Sequence, residues 1–583
     1  VASTKSKPAK SGKASSSRAA APPGPARKLR WWPWAIGLFA LAYVTFQVYG
    51  PALNGPFLFD DIYLPMNRPN PPAEWQKWII GVRPLLSLSF WVNWRNSGAD
   101  TFSYHLFNVL FHLANGLLVF AIVRRLARMA GGPLGEPDRL DLFAAFAAAI
   151  FLLHPVQTEA VAYIASRSEG LSVLFYFAAY AVFLYRPPGP VSWGRSAAIL
   201  VLFGAAISVK EHTITLPALL LLTDYFWNPG FSTQGIRRNW RLYVPVAAGA
   251  LAGVVLVGRL VRTSDSAGFG LKDFTWSQYF FTECRAFFVY LRLFLFPSGQ
   301  TIDYDFPISR TILDHGAVAG LAAIAALLAA AVWFRKRYPL AAFGLLVFVI
   351  LLAPTSSFVP IKDPVAERRL YLPMIGLLLV LTELLLRWKV RRAVLLAGMG
   401  VIAAVLAGAS YARNQVWSAA TALWEDAVAK TPANARAHFQ LAYAYYQQNR
   451  CEQAVAEYGT VARLQPPDYR LLVDWALAYD CLNRTGEALA KLEQAAAQEA
   501  TAHVYALIGM MHAKQGDPRR AHAALDRAQK LDPNFDMTYF YRGNLLMQAG
   551  DRAGAAGEYR RALALNPRNQ AAIDALAAAE ARR

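Results

Sequence analysis

The sequence predicts an all-α chain: a polytopic bundle of about eleven membrane-crossing helices, then a solenoid of paired helices. Three observations predict it. Apolar blocks long enough to span a bilayer recur between Trp31 and Ser410. Alternate short loops between them are basic. Residues 434–583 repeat themselves at a fixed period.

Composition agrees. Of 583 residues, 55% are hydrophobic and 17% are charged, where a soluble chain carries about 25% charged residues. The net charge of +21 does not point to nucleic acid, because no basic groove with interleaved aromatics accompanies it. Much of it lies in a tail and in short loops, where positive charge sets membrane orientation.

Residues 1–30, rich in Ala, Ser, Lys and Pro, read as a disordered basic cytoplasmic tail and not as a cleavable signal. The first span follows at about Trp31–Gly50, with aromatics at its entry as interfacial anchors. A long polar loop runs from Pro51 to Ser103. Further apolar blocks lie near 105–123, 142–154, 169–186, 195–209, 213–228, 242–260, 315–334, 340–356, 370–387 and 391–410. The clusters Arg124, Arg125, Arg128; Arg186, Arg195; Arg237, Arg238, Arg241; Arg335, Lys336, Arg337; and Arg387, Lys389, Arg391, Arg392 are cytoplasmic by the positive-inside rule. Block 276–297 is apolar but carries Glu283, Arg285 and Arg292. It is read as a helix at the outer interface or tucked against the bundle, since a crossing there would invert every later loop.

From Asn434 the segments 434–467, 468–500, 501–534 and 535–568 align at about 34 residues, the tetratricopeptide period. Ala442, Ala454 and Tyr458 recur as Gly509, Ala524 and Ala528, and as Gly543, Ala555 and Tyr559. The domains are therefore 1–30 tail, 31–411 transmembrane domain, 412–433 connecting helix, and 434–583 tetratricopeptide-repeat solenoid with a capping helix. Cys451 and Cys481 fall in adjacent repeats, where a disulfide could form in an oxidising compartment. No metal-ligand spacing links the cysteines, and two unpaired core thiols are the favoured reading.

Four polar stretches sit where polarity is costly, all on the predicted outer side. Asp60 and Asp61 follow an apolar run; a solvated turn is the bland reading. His154, Glu159, Tyr163 and Arg167 form the second, with a surface ion pair as the alternative. Lys210, Glu211 and His212 form the third. The fourth is Asp363 to Tyr371, with Glu367, Arg368 and Arg369. Adjacent arginines at an outer face suit a lipid phosphate, or pair with Glu367.

These stretches carry a resemblance. Phe57-Leu58-Phe59-Asp60-Asp61, Tyr104 to His112, His154 to Tyr163, Ser166-Arg167, Lys210-Glu211 with Thr215-Leu216-Pro217, Arg285 to Asp305, and Glu367 to Pro373 resemble, in this order, the transmembrane and tetratricopeptide repeat-containing O-mannosyltransferases. That family has the GT-C glycosyltransferase fold. The compact loops and short repeat array look like those of a bacterial member. The resemblance implies transfer of a mannose-like sugar from a polyprenyl monophosphate to a protein Ser or Thr hydroxyl, with inversion. It makes Asp60 the first and Asp61 the second choice of base. Arg368, Arg369, Arg167 and Lys210 are donor-phosphate candidates, supported by His154, Glu159, Glu211, Glu367 and Tyr371.

No cofactor and no essential metal are expected, although Asp60, Asp61 and Glu159 could together hold a divalent ion. The expected partners are the polyprenyl-phosphate sugar, an acceptor peptide on the repeats and the lipid bilayer, without nucleic acid. The setting is an integral protein of a bacterial inner membrane, N-terminus cytoplasmic and repeats periplasmic. The alternative is a non-catalytic membrane scaffold for envelope proteins. A flippase would need more polar residues at mid-bilayer than this chain carries.

Overall fold

A computed structural model describes residues 1–3, 32–68, 71–131, 137–263 and 268–581. The predicted tail lies outside these residues except for its first three. Residues Val1–Tyr43 and Val44–Arg583 are two units. The first holds the start of the apolar helix Trp32–Tyr49. The second holds everything that follows.

The architecture is helical, with no β-strand among the described residues. Every predicted apolar block is a helix. Among the described residues four helices are long and apolar enough to cross a membrane: Trp34–Ala52, Thr101–Ala130, Asp314–Phe334 and Arg392–Val416. The pair Asp138–Leu153 and Pro155–Ala162, bent by 52°, is apolar enough when taken together to form a broken span or a re-entrant loop. The bend falls at His154-Pro155, where proline removes a helical N–H and clashes with the preceding turn. The other predicted spans are shorter or more polar helices, including Arg167–Leu184, Trp193–Ile207 and Pro339–Leu352.

Thr101–Ala130 packs on Pro137–Leu153 and on Arg167–Leu184. Pro339–Leu352 crosses Met374–Arg387 at two glycines. A Cβ on Gly344 would sit 2.5 Å from the Gly376 carbonyl oxygen, so the crossing needs residues without side chains.

Two expectations are corrected here. The loop 51–103 contains the helix Pro84–Ser97. Its Leu86, Phe90 and Asn93 are buried at a spacing of three to four residues, a helical stripe hidden by the polar residues around it. Cys451 and Cys481 are disulfide-bonded, their Cα atoms 6.2 Å apart, a separation that suits a bridge. The start of one repeat's second helix meets the end of the next repeat's first.

Helix Trp276–Leu295 opens with a capping box: Thr275 accepts from the Gln278 amide and the Gln278 side chain accepts from Thr275 N. Its Tyr279, Glu283, Phe287 and Tyr290 are buried, and it packs on Ala317–Phe334. Its polar groups are thus accommodated by tucking one face against the bundle.

The repeats are helix pairs: Ala435–Gln447 with Cys451–Leu464, Tyr469–Cys481 with Thr485–Gln498, Ala502–Lys514 with Pro518–Leu531, and Asp536–Gln548 with Arg552–Leu565. Gln570–Glu580 closes the array. Asn434, Asp468 and Thr501 cap the first helices of the first three pairs. The recurring small residues admit the neighbouring helix: a Cβ on Gly543 would lie 2.5 Å from the Tyr559 ring.

The first repeat does not stand apart from the preceding helices. Leu58, Ala162, Tyr163 and Ile302 share one apolar core with Trp417, Leu423, Trp424, Leu441 and Tyr458.

Candidate active site

The chain leaves its first membrane helix through Gly50–Ala52 and reaches a short 3-10 turn, Phe59–Tyr63. Two features aim this turn. Gly55 approaches Trp417 so closely that a Cβ would be 2.7 Å from the Trp417 carbonyl oxygen. Phe59 has φ 49°, a left-handed conformation that a bulky residue adopts only when its surroundings impose it. Its ring stands edge-on to Trp424 at 5.6 Å.

The paired acids that follow have different fates. Asp61 is buried, and its two carboxylate oxygens accept the amides of Leu58 at 2.9 Å and Ala165 at 2.7 Å. Burial pushes its carboxyl up to about 8 against those two bonds; with both oxygens buried and taken by backbone amides, it holds the loop and has no face open to a substrate hydroxyl. Asp60 is exposed. Its backbone N–H donates to the Tyr163 hydroxyl at 2.8 Å. Partial burial raises the Asp60 carboxyl above its ordinary value, while Arg368 and Arg436 pull it down and Asp363 pushes it up.

The distant stretches converge here. Arg368 donates its amide to Glu159 at 2.9 Å and its guanidinium to the same carboxylate. Its side chain keeps 23% exposure, and it acts electrostatically on Asp60, Glu169 and Lys210. Glu367 is wholly buried, accepting from Gln300 at 2.5 Å and the Tyr304 hydroxyl at 2.9 Å. Burial lifts its carboxyl to about 7, Arg413 opposes this and Glu159 adds to it.

The other expected phosphate ligands are spent inside the protein. Arg369 donates to the Pro364 carbonyl at 2.7 Å, to the Asp363 carbonyl and to the Tyr279 hydroxyl, with Glu283 at 3.7 Å. Lys210 pairs with buried Glu169, and Glu211 takes both forks of Arg83 at 2.9 and 3.0 Å.

Arg167 is fully buried. It donates to Asn108, Asn93, the Ser89 carbonyl and the Tyr104 carbonyl, and stacks on Phe90 at 4.4 Å. All these partners are neutral, so this guanidinium cross-links helices and is not offered to a ligand. His154 bonds the Phe294 carbonyl and the Val156 amide. The Tyr371 hydroxyl lies 2.9 Å from His112 and accepts from Asn115. Both brace the bundle. Among the described residues no three His, Cys, Asp or Glu gather to hold a metal; of the suggested set, Asp61 and Glu159 already have partners.

Sequence reasoning missed Arg436, on the first turn of the first repeat. It donates to both oxygens of Asp303, at 2.6 Å through Nε, and to Asp363 at 2.9 Å. Its guanidinium lies 5.8 Å from the Phe59 ring. Nearby Lys430 donates to the Gln300 carbonyl at 2.6 Å. The period assigns position 436 to a helix pair and says nothing of what the pair touches, so no sequence signal marks it.

A bundle of apolar helices joined to stacked helix pairs, with acids and arginines gathered where they meet, defines a membrane protein whose repeat array is built into its polar site. The tetratricopeptide repeat model matches residues 406–469 and 507–570. The chain is 25% identical over 496 residues to Protein O-mannosyl-transferase TMTC1 of Homo sapiens, covering 73% of this chain and 55% of that protein. It is 25% identical over 545 residues to TMTC3 of Mus musculus, covering 84% and 57%. Against F38B6.6 of Caenorhabditis elegans, also named a protein O-mannosyl-transferase, it is 23% identical over 456 residues, covering 74% and 63%. The chain is similar to these proteins along most of its own length. It spans little more than half the length of these relatives.

Proposed function

We propose that the chain is a membrane glycosyltransferase. It moves a mannose-like sugar from a polyprenyl monophosphate to a Ser or Thr hydroxyl of a protein on the extracytoplasmic side. The observation that carries this reading is Asp60: of the adjacent pair Asp60 and Asp61, it alone presents an open carboxylate, beside Arg368 and at the foot of the first repeat.

Asp60 accepts the hydroxyl proton as that oxygen attacks the anomeric carbon. The bond from that carbon to the phosphate oxygen breaks, and the lipid phosphate leaves with the electron pair. Attack from the face opposite the leaving group inverts the centre. Arg368, still partly open beyond its pair with Glu159, is the cation placed to meet the departing charge. The repeats hold the acceptor segment near Asp60, and their docking through Arg436 supports that arrangement. The Cys451–Cys481 bridge supports an oxidising compartment for the array.

The test is mass spectrometry of glycopeptides from cells carrying the native chain or Asp60→Asn, with melting of both proteins as the folding control. Loss of general-base help lowers transfer by about 100- to 10,000-fold. Full transfer by folded Asp60→Asn would exclude Asp60 as the base, and equal transfer in cells without the chain would exclude the transferase reading and favour the scaffold.

A further inference from the structure

Arg285 and Arg292 differ from the basic residues around the polar cluster. They lie seven residues apart on helix Trp276–Leu295, with Phe288 and Val289 between them on the same face. This face and the small residues Ala319 and Ala323 of Ala317–Phe334 line a groove of about 540 Å³. That is within the size of a ligand site. A Cβ on Gly320 would lie 2.4 Å from the Cys284 carbonyl oxygen, so the groove's floor is backbone against backbone.

The charges in the groove lack counter-ions. Arg285 donates through one terminal nitrogen to the Pro307 carbonyl at 2.8 Å and to Ser309 at 3.0 Å, and stacks on Phe306 at 4.6 Å. Arg292 donates through one nitrogen to the Ser298 carbonyl at 2.8 Å. Among the described residues neither forms an ion pair, whereas Arg83, Arg368, Arg369, Lys210 and Arg436 all do. The opposite wall is a helix long and apolar enough to cross a membrane, and only 11% of its apolar window is buried by protein. The groove therefore opens towards lipid.

We propose that this groove binds a phosphate-headed lipid drawn from the bilayer. The phosphate lies between Arg285 and Arg292, whose free N–H groups suit its oxygens. One hydrocarbon chain lies over Phe288, Val289, Ala319 and Ala323. The proposal does not depend on the transferase reading, and it shares no residue with the Asp60 cluster.

The test is native mass spectrometry of the full chain in detergent, titrated with phosphatidylglycerol, with diacylglycerol of the same chains, or with inorganic phosphate. Phosphatidylglycerol is expected to bind and diacylglycerol to leave no adduct. Arg285→Gln with Arg292→Gln should weaken binding at least tenfold, since each charged hydrogen bond lost is worth about that much. Ala323→Phe, which fills the groove and keeps both arginines, should weaken it as well. Should the double variant fail to fold, Arg292→Gln alone, at an exposed position, decides with Ala323→Phe. Unchanged binding by the arginine variants, equal retention of diacylglycerol, or displacement of the lipid by equimolar inorganic phosphate overturns the proposal.

Discussion

Replacing Arg436 with alanine removes the cation that joins the first repeat to the loops around Asp60. Asp303 is 5% exposed, and Arg436 is its ion-pair partner among the described residues. Taking one member from a buried pair costs about 3–5 kcal/mol, because the other charge is stranded. Arg436 keeps 36% exposure, so water screens part of that loss and about 2–3 kcal/mol is expected.

Denaturant unfolding of the full chain in detergent, followed by tryptophan fluorescence, reads it, since Trp417 and Trp424 sit in the shared core. Arg436→Lys keeps the charge without the fork and should lose less. Burial raises the Asp363 carboxyl, but Arg436 and Arg368 more than offset it and hold it below its ordinary value. Its contribution is present above the unfolded value and is lost as pH falls through the folded one. The Arg436→Ala deficit should therefore shrink in acid. A deficit under about 0.5 kcal/mol, the range of an ordinary surface change, would refute the claim that this arginine fastens the repeats to the site.

Asp61→Ala should destabilise the fold by about 2–4 kcal/mol, since two amides lose their acceptor, while Asp60→Asn should leave the melting temperature nearly unchanged; equal effects would remove the distinction drawn between the two acids. Glu367, lifted to about 7 from an ordinary 4.5, binds its proton more tightly in the folded state, so its contribution is complete below the unfolded value and is lost as pH rises through about 7. Melting at pH 5 and pH 8 should show a smaller alkaline loss in Glu367→Gln than in the native chain. Cys451→Ser with Cys481→Ser opens a loop of sequence separation 30 and should cost the repeats about 3–4 kcal/mol; circular dichroism melting of the whole protein checks it.

The sequence by itself determined the helices and their order. Apolar runs between Trp31 and Ser410 admit no other element, because backbone polar groups in lipid must be paired within their own segment. The spacing of Ala442, Ala454 and Tyr458 declares a repeat that cannot bury its face alone. The four polar stretches were legible as well, since polarity in an apolar chain is expensive.

What each polar residue does was decided by tertiary structure. Asp60 and Asp61 are neighbours of one chemical kind, and only the amides of Leu58 and Ala165 make one a clamp and leave the other open. Arg167 reads as a ligand until Asn108, Asn93 and Tyr104 close around it. The pairing of Cys451 with Cys481 needed the angle between two repeats. Arg436 needed the docking of one domain on another. Periodicity reports which face of a helix is buried; the identity of what lies across that face is a long-range contact, and no local pattern encodes it.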